Sequence, residues 1–170
     1  MKNNSKIGFG GGCHWCTEAV FQHLKGVLKV EQGWIASTGE EHTFSEAVIV
    51  YFDPELIDLK TLIEIHLYTH KSTSNHSFRK KYRSAVYTFS NEQALIAKQH
   101  ILSFQPDFNY EVITNVLPFV EFKISPEEFR NYYKNNPAKP FCKTYINPKL
   151  KLLLNKFSKH ICKENLDHLQ

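Results

Sequence analysis

The chain has 170 residues, 42% hydrophobic and 22% charged, with a net charge of +4. These values are ordinary for one globular domain with a real core. No apolar run is long enough to span a membrane, and Met1 to Lys6 is too short and polar for a signal peptide.

A cytoplasmic chain is therefore expected, with its cysteines reduced at rest. The densest basic cluster is Arg79-Lys80-Lys81-Tyr82-Arg83, and a second spreads over Lys149 to Lys163. Both read as solvated faces rather than a nucleic-acid surface.

Taken in order, the chain opens with a short apolar run, Ile7 to Phe9, and then Gly10-Gly11-Gly12. Glycines permit a tight turn and close approach of another molecule to the backbone. A helix follows, in which Cys16, Val20, Leu24 and Val27 make one apolar face. Val27 to Trp34 reads as a strand and Ile35 to Thr43 as a polar loop. Glu46 to Phe52 is a β-branched strand stopped by Asp53-Pro54. Leu59, Leu62, Ile63, His66 and Leu67 mark one face of a helix. Lys71 to Lys81 reads as an ordered surface loop and Ser84 to Phe89 as a strand. Ser90 and Gln93 make a capping box for a helix to about Ser103. Glu111 to Leu117 reads as a strand that can run on past Pro118 to Phe122. Ser125-Pro126-Glu127-Glu128 opens a helix expected to end near Asn135. Leu150 to Phe157 is helical, with residues 158–170 as a helical tail. The order suits an α+β fold: a ferredoxin-like two-layer sandwich with a mixed or antiparallel sheet and helices packed on it. One domain is expected over residues 1–170.

Cys13 sits where a strand turns into a helix, so free N–H groups and the positive helix end favour its thiolate. With Cys16 it forms C-x-x-C, which suits a redox pair or half a zinc site. Cys142 and Cys162 form no second such motif, which disfavours zinc. His66 and His70 have metal-ligand spacing, but His66 lies on the apolar stripe and reads as a packed histidine. Glu46 is either the polar end of a strand or a partly buried carboxyl whose raised pKa suits an acid. Tyr82 by itself reads as a half-buried aromatic.

The stretch Gly12-Cys13-His14-Trp15-Cys16-Thr17-Glu18-Ala19-Val20-Phe21 resembles the signature of the A-type peptide methionine sulfoxide reductases. The likeness continues in order through Phe44 to Pro54, Lys81 to Ala85, and Asn136 to Leu150, and spans about residues 6 to 157. It implies the same α+β sandwich and reduction of methionine-S-sulfoxide, free or in oxidised proteins. It implies Cys13 as nucleophile, Glu46 as proton donor and Tyr82 as hydrogen-bond donor, with Trp15 as a wall for the substrate methyl group. A second thiol would convert the sulfenic acid into a disulfide, with Cys142 the first choice and Cys16 close behind. Thioredoxin, or an equivalent dithiol, would reset the enzyme. No metal or other cofactor is implied, and a monomer is expected.

Four positions depart from the family pattern. His14 replaces the usual phenylalanine, making the methyl pocket more polar, and Cys16 replaces glycine. Trp34 takes the place of a second tyrosine, and Ser77, beside His76, that of an aspartate. Two other readings of the chain are a general thiol–disulfide oxidoreductase using Cys13 and Cys16, and a basic zinc-dependent binding module.

Overall fold

The β-branched stretch near Glu46 forms the strand around which the sheet is built. The computed structural model describes residues 3–170. In chain order the strands and helices are β1 (Ser5–Gly10), α1 (His14–Gln22), β2 (Val27–Ala36), β3 (Ser45–Phe52), α2 (Leu59–Thr69), β4 (Ala85–Thr88), α3 (Asn91–Phe104), β5 (Asn115–Pro118), β6 (Glu121–Ile124), α4 (Tyr132–Asn135) and α5 (Asn147–Lys156). The six strands make one mixed sheet in the order β5-β4-β1-β3-β2-β6. Only the β4–β5 pair is parallel. A parallel pair needs a crossover connection, and α3 supplies it.

β3 is buried on both faces, which is why it reads as continuously apolar rather than alternating. Val48, Val50 and Phe52 face the helices and join Ile7, Phe9, Val20 and Phe21 in the main core. Ala47 and Ile49 point the other way, into a smaller core with Ile35, Ala85 and Tyr87. The two-residue period of a strand makes this division.

The sheet is curled. Its outermost strands, β5 and β6, are joined by Phe119 and Val120 alone. Three Cα steps reach about 11 Å at most, whereas the edges of a flat six-stranded sheet lie about 24 Å apart. The edges therefore approach each other. Phe119 N–H bonds to Thr88 O at 2.8 Å, Val120 N–H to Ala36 O at 3.1 Å, and the Ser37 hydroxyl to Pro118 O at 2.6 Å. Phe119 and Phe122 pack against the smaller core.

Several expected boundaries are corrected. α1 ends at Gln22, so Val27 belongs to β2 alone, although Leu24 remains buried. β2 continues to Ala36 instead of stopping at Trp34. The single strand expected from Glu111 is two short strands on opposite sheet edges, starting only at Asn115. The helix expected from Ser125 to Asn135 is a 3₁₀ turn, Glu127–Phe129, then a left-handed Asn131 (φ 56°), then the single turn of α4. The cause is tertiary: the buried Glu18 carboxylate accepts the N–H groups of Asn131 at 3.1 Å and Tyr132 at 3.2 Å. The segment around Cys142, expected as loop, is a π-helical turn (Cys142–Ile146) leading into α5. The tail is a series of short 3₁₀ turns that fold back. Its Ile161 bridges to Leu24, and Leu166 is fully buried.

Glu18→Ala should leave two N–H groups without their acceptor and cost about 2 kcal/mol or more. Urea denaturation checks this, and an unchanged midpoint would show that the break at Asn131 does not depend on Glu18.

Candidate active site

Cys13 is the N-cap residue of α1, as its place after the glycines predicts. Gly11 lets His70 approach: a Cβ at Gly11 would lie 2.8 Å from His70 Cγ, while one at Gly12 would meet nothing within 4 Å. The thiol of Cys13 is held below the ordinary cysteine range. The largest cause is the Cys16 thiol, which donates a hydrogen bond to it. Backbone N–H groups of Trp15 and Cys16 help, while burial and the Glu46 charge oppose. These N–H groups lie near the sulfur without closing a side-chain cap bond. Cys16 is the reverse case: its bond to Cys13 and its burial hold its own proton firmly in place.

Glu46 is the second residue of β3, opposite Trp34 of β2, and both have the parity of the helix-facing residues. Burial pushes its carboxyl up to about 7, with Lys81 and the Tyr82 hydroxyl opposing. Tyr82 is held near it by main-chain bonds. Glu46 N–H donates to Lys81 O at 2.9 Å, Ser45 Oγ to the same carbonyl at 3.0 Å, and Arg83 N–H to Ser45 Oγ at 2.8 Å. His14, the first helical residue, turns inward. Its Nδ1 lies 2.7 Å from Gly33 O and its Nε2 3.2 Å from Glu46 Oε1. Trp34 packs edge-on against the His14 ring at 5.1 Å.

The basic cluster at 79–83 contains two structural clamps that sequence reasoning missed. The Arg79 guanidinium donates to Gly11 O at 3.0 Å, Tyr82 O at 2.9 Å and Ser74 O at 2.8 Å, tying the loop to the glycine turn. Arg83 is buried and pairs with Glu41, Thr43 and the Tyr87 hydroxyl. Nothing local in the sequence separates these arginines from solvated ones.

His66 is buried and His70 half-buried, and their rings stack with centroids 4.2 Å apart. His66 Nε2–H donates to Gly10 O at 2.8 Å. His70 Nδ1–H donates to His66 O, and its Nε2 accepts from Ser84 Oγ at 2.8 Å. Both His70 nitrogens are thus occupied, and His66 is packed in the core. Among the described residues, no three His, Cys, Asp or Glu side chains cluster as metal ligands, and no helix is long and apolar enough to cross a membrane.

The family model described as peptide methionine sulfoxide reductase matches residues 5–161. The chain belongs to the peptide methionine sulfoxide reductase family. The peptide methionine sulfoxide reductase MsrA of Deinococcus radiodurans is 37% identical, over 84% of this chain and 77% of that protein. MsrA of Sulfolobus acidocaldarius is 32% identical, over 87% and 92%. Crystal structures of Mxr1 from Saccharomyces cerevisiae share the fold. The reduced form has a TM-score of 0.73 at 20% identity, covering 84% of this chain and 91% of that one. A complex with Trx2 gives 0.59 at 20%, covering 74% and 83%.

In this reductase the residues expected at the site divide between two places. Cys13, Cys16, Tyr82 and His76 line a cavity of about 690 Å³, together with Phe141 and Lys149. Glu46 and His14 are buried together, with the half-buried Trp34 against them, as described above. Ser77 is exposed and lies outside the cavity lining, although His76 and Phe78 on either side belong to it. Trp15 stacks on Tyr132 at 4.0 Å and meets Phe141 edge-on at 5.4 Å, so one of its faces is already covered. Cys142 is fully buried, and its thiol donates to Asn136 O at 3.5 Å. It lies near enough to Cys16 for its charge to raise the Cys16 pKa. Cys162 is exposed.

Burial of neutral His66 lowers its pKa from 6.5 to about 3. The unfolded chain therefore takes up this proton first as pH falls. The stability it contributes is complete above about 6.5 and is lost toward about 3, at up to about 1.4 kcal/mol per pH unit. Urea titrations at about pH 7 and pH 5 should differ by about 2 kcal/mol more in wild type than in His66→Gln. Equal differences would show that folding does not lower the His66 pKa.

Proposed function

We propose that this reductase converts methionine-S-sulfoxide, peptide-bound or free, to methionine, with Cys13 as nucleophile and Glu46 as acid. The observation that carries this reading is a thiol held below its usual pKa beside a carboxyl raised to about 7. Near neutral pH, one group can lack its proton while the other keeps it. The Cys13 thiolate attacks the sulfoxide sulfur. Glu46 gives its proton to the oxygen as the S–O bond breaks, and the Tyr82 hydroxyl supports the charge developing there. As the S–O bond breaks, the hydroxide so formed bonds to the Cys13 sulfur, and the methionine sulfide leaves with the electron pair of the transient S–S bond, so Cys13 ends as a sulfenic acid. A general disulfide exchanger would need the Cys13–Cys16 contact but neither Glu46 nor Tyr82.

We propose an order for the thiols from their surroundings. Cys16 touches the Cys13 sulfur, so it condenses first with the sulfenic acid, forming a disulfide and releasing water. Cys142, deprotonated, then attacks the Cys16 sulfur. Cys13 leaves as thiolate because it has the lowest pKa of the three. Cys142 is thus the recycling thiol reached through Cys16. A dithiol such as thioredoxin returns the Cys16–Cys142 bridge to two thiols. This cycle suits a monomer in the cytoplasm, where thiols are kept reduced.

Single-turnover assays with each sulfoxide epimer and dithiothreitol test the chemistry. Cys13→Ser should release no methionine, and the R epimer should react poorly. Glu46→Gln should slow the step by about 10²–10⁴-fold. An unchanged rate in Glu46→Gln would leave that carboxylate as the polar end of a strand.

Peptide mapping after one turnover tests the thiol order. Cys142→Ser should trap a Cys13–Cys16 bridge and stall thioredoxin-driven cycling. A Cys13–Cys142 bridge forming at the wild-type rate in Cys16→Ser would overturn the sequence of exchanges.

A further inference from the structure

His14 stands where the family usually has phenylalanine, and its surroundings give it work that phenylalanine could not do. Its Nδ1 lies 2.7 Å from the Gly33 carbonyl. A carbonyl only accepts, so Nδ1 carries the hydrogen, and in the neutral ring Nε2 presents a lone pair. That lone pair lies 3.2 Å from Glu46 Oε1. Both side chains are buried, 4% and 8% exposed. Glu46 Oε2 is buried with no hydrogen-bond partner among the described residues.

Two bare lone pairs facing each other in such a place would repel. The contact is favourable only with one proton between them, either on the carboxyl or on the imidazole. Gly33 cannot easily move to relieve it. Its strand is paired on both sides, with Ala47 and with Ile124, and a Cβ at Gly33 would meet Phe122 Cε2 at 2.8 Å.

We propose that His14 is a positioning residue that keeps the Glu46 proton in the site while Cys13 is ionised. The proposal rests on Glu46 being the acid, and names what holds that acid ready. The other groups facing Glu46 pull in different directions. Cys13, on the same helix as His14, favours a protonated carboxyl when it is a thiolate. Lys81 and Tyr82, from the loop before β4, favour the carboxylate. Trp34, from β2, carries no charge. His14 Nε2 is the neighbour able to accept the carboxyl O–H. When the sulfoxide oxygen takes that proton, the next one entering from solvent binds Oε1 or Nε2, and either position restores the pair.

The test is the pH profile of the single-turnover rate with methionine-S-sulfoxide, in wild type, His14→Asn, His14→Gln and Glu46→Gln. Asparagine retains a donor for the Gly33 carbonyl but falls short of Glu46. Glutamine reaches Glu46 but cannot hold a proton. In both variants the limb on which rate falls as pH rises should move down by about one unit, a tenfold change in proton affinity. In a Glu46→Gln background, His14→Asn should cause no further loss. A slow Glu46→Gln with unmoved limbs in both His14 variants would overturn the role of His14 and leave the acid intact. A Glu46→Gln enzyme as fast as wild type would overturn the acid reading and this inference together. If one His14 variant fails to fold, the other decides.

Discussion

The site depends on setting a thiol held below its ordinary pKa near a carboxyl raised to about 7. Two negative charges there repel, and the Glu46 charge opposes ionisation of Cys13. The site limits that repulsion by giving each group its own partners. Cys13 has the Cys16 thiol and the first N–H groups of α1. Glu46 has burial and the Nε2 of His14. The lowered thiol and the raised carboxyl are two consequences of one arrangement: the start of α1 set against the start of β3.

That arrangement is made rigid by bonds far from the chemistry. Arg79 ties the polar loop to Gly11, and Ser45 joins Lys81 and Arg83 to the first residue of β3. Tyr82 lies between these anchors, so its position beside Glu46 is fixed from both sides. Arg83 is buried among Glu41, Thr43 and Tyr87, which also fixes the mouth of the smaller core. A segment that is polar and aperiodic in sequence is therefore among the most constrained parts of the molecule.

The cysteines are graded by environment. Cys13 is partly exposed and ionises most readily, Cys16 keeps its proton, and Cys142 is sealed in the core beside Cys16. Of the three, Cys13 is the best leaving group in thiol exchange, because only its pKa is lowered. The best leaving group is also the nucleophile the next turnover needs.

The sequence by itself determined the elements that rest on short-range periodicity or capping: the helix after Gly12, the apolar strand at Glu46, the capped helix at Ser90 and the final helix. It also placed Cys13 at the start of the helix after Gly12, because glycines, helix start and thiol are neighbours in the chain. Tertiary structure decided the rest. A carboxylate 113 residues away breaks the helix expected at Ser125. Curling of the sheet sends one expected strand to two opposite edges. His14 points at Glu46 because Gly33 of β2 supplies the acceptor for its other nitrogen. Each of these outcomes depends on a partner distant in sequence, and hydrogen bonding and burial act through space, where periodicity and spacing along the chain carry no record of them.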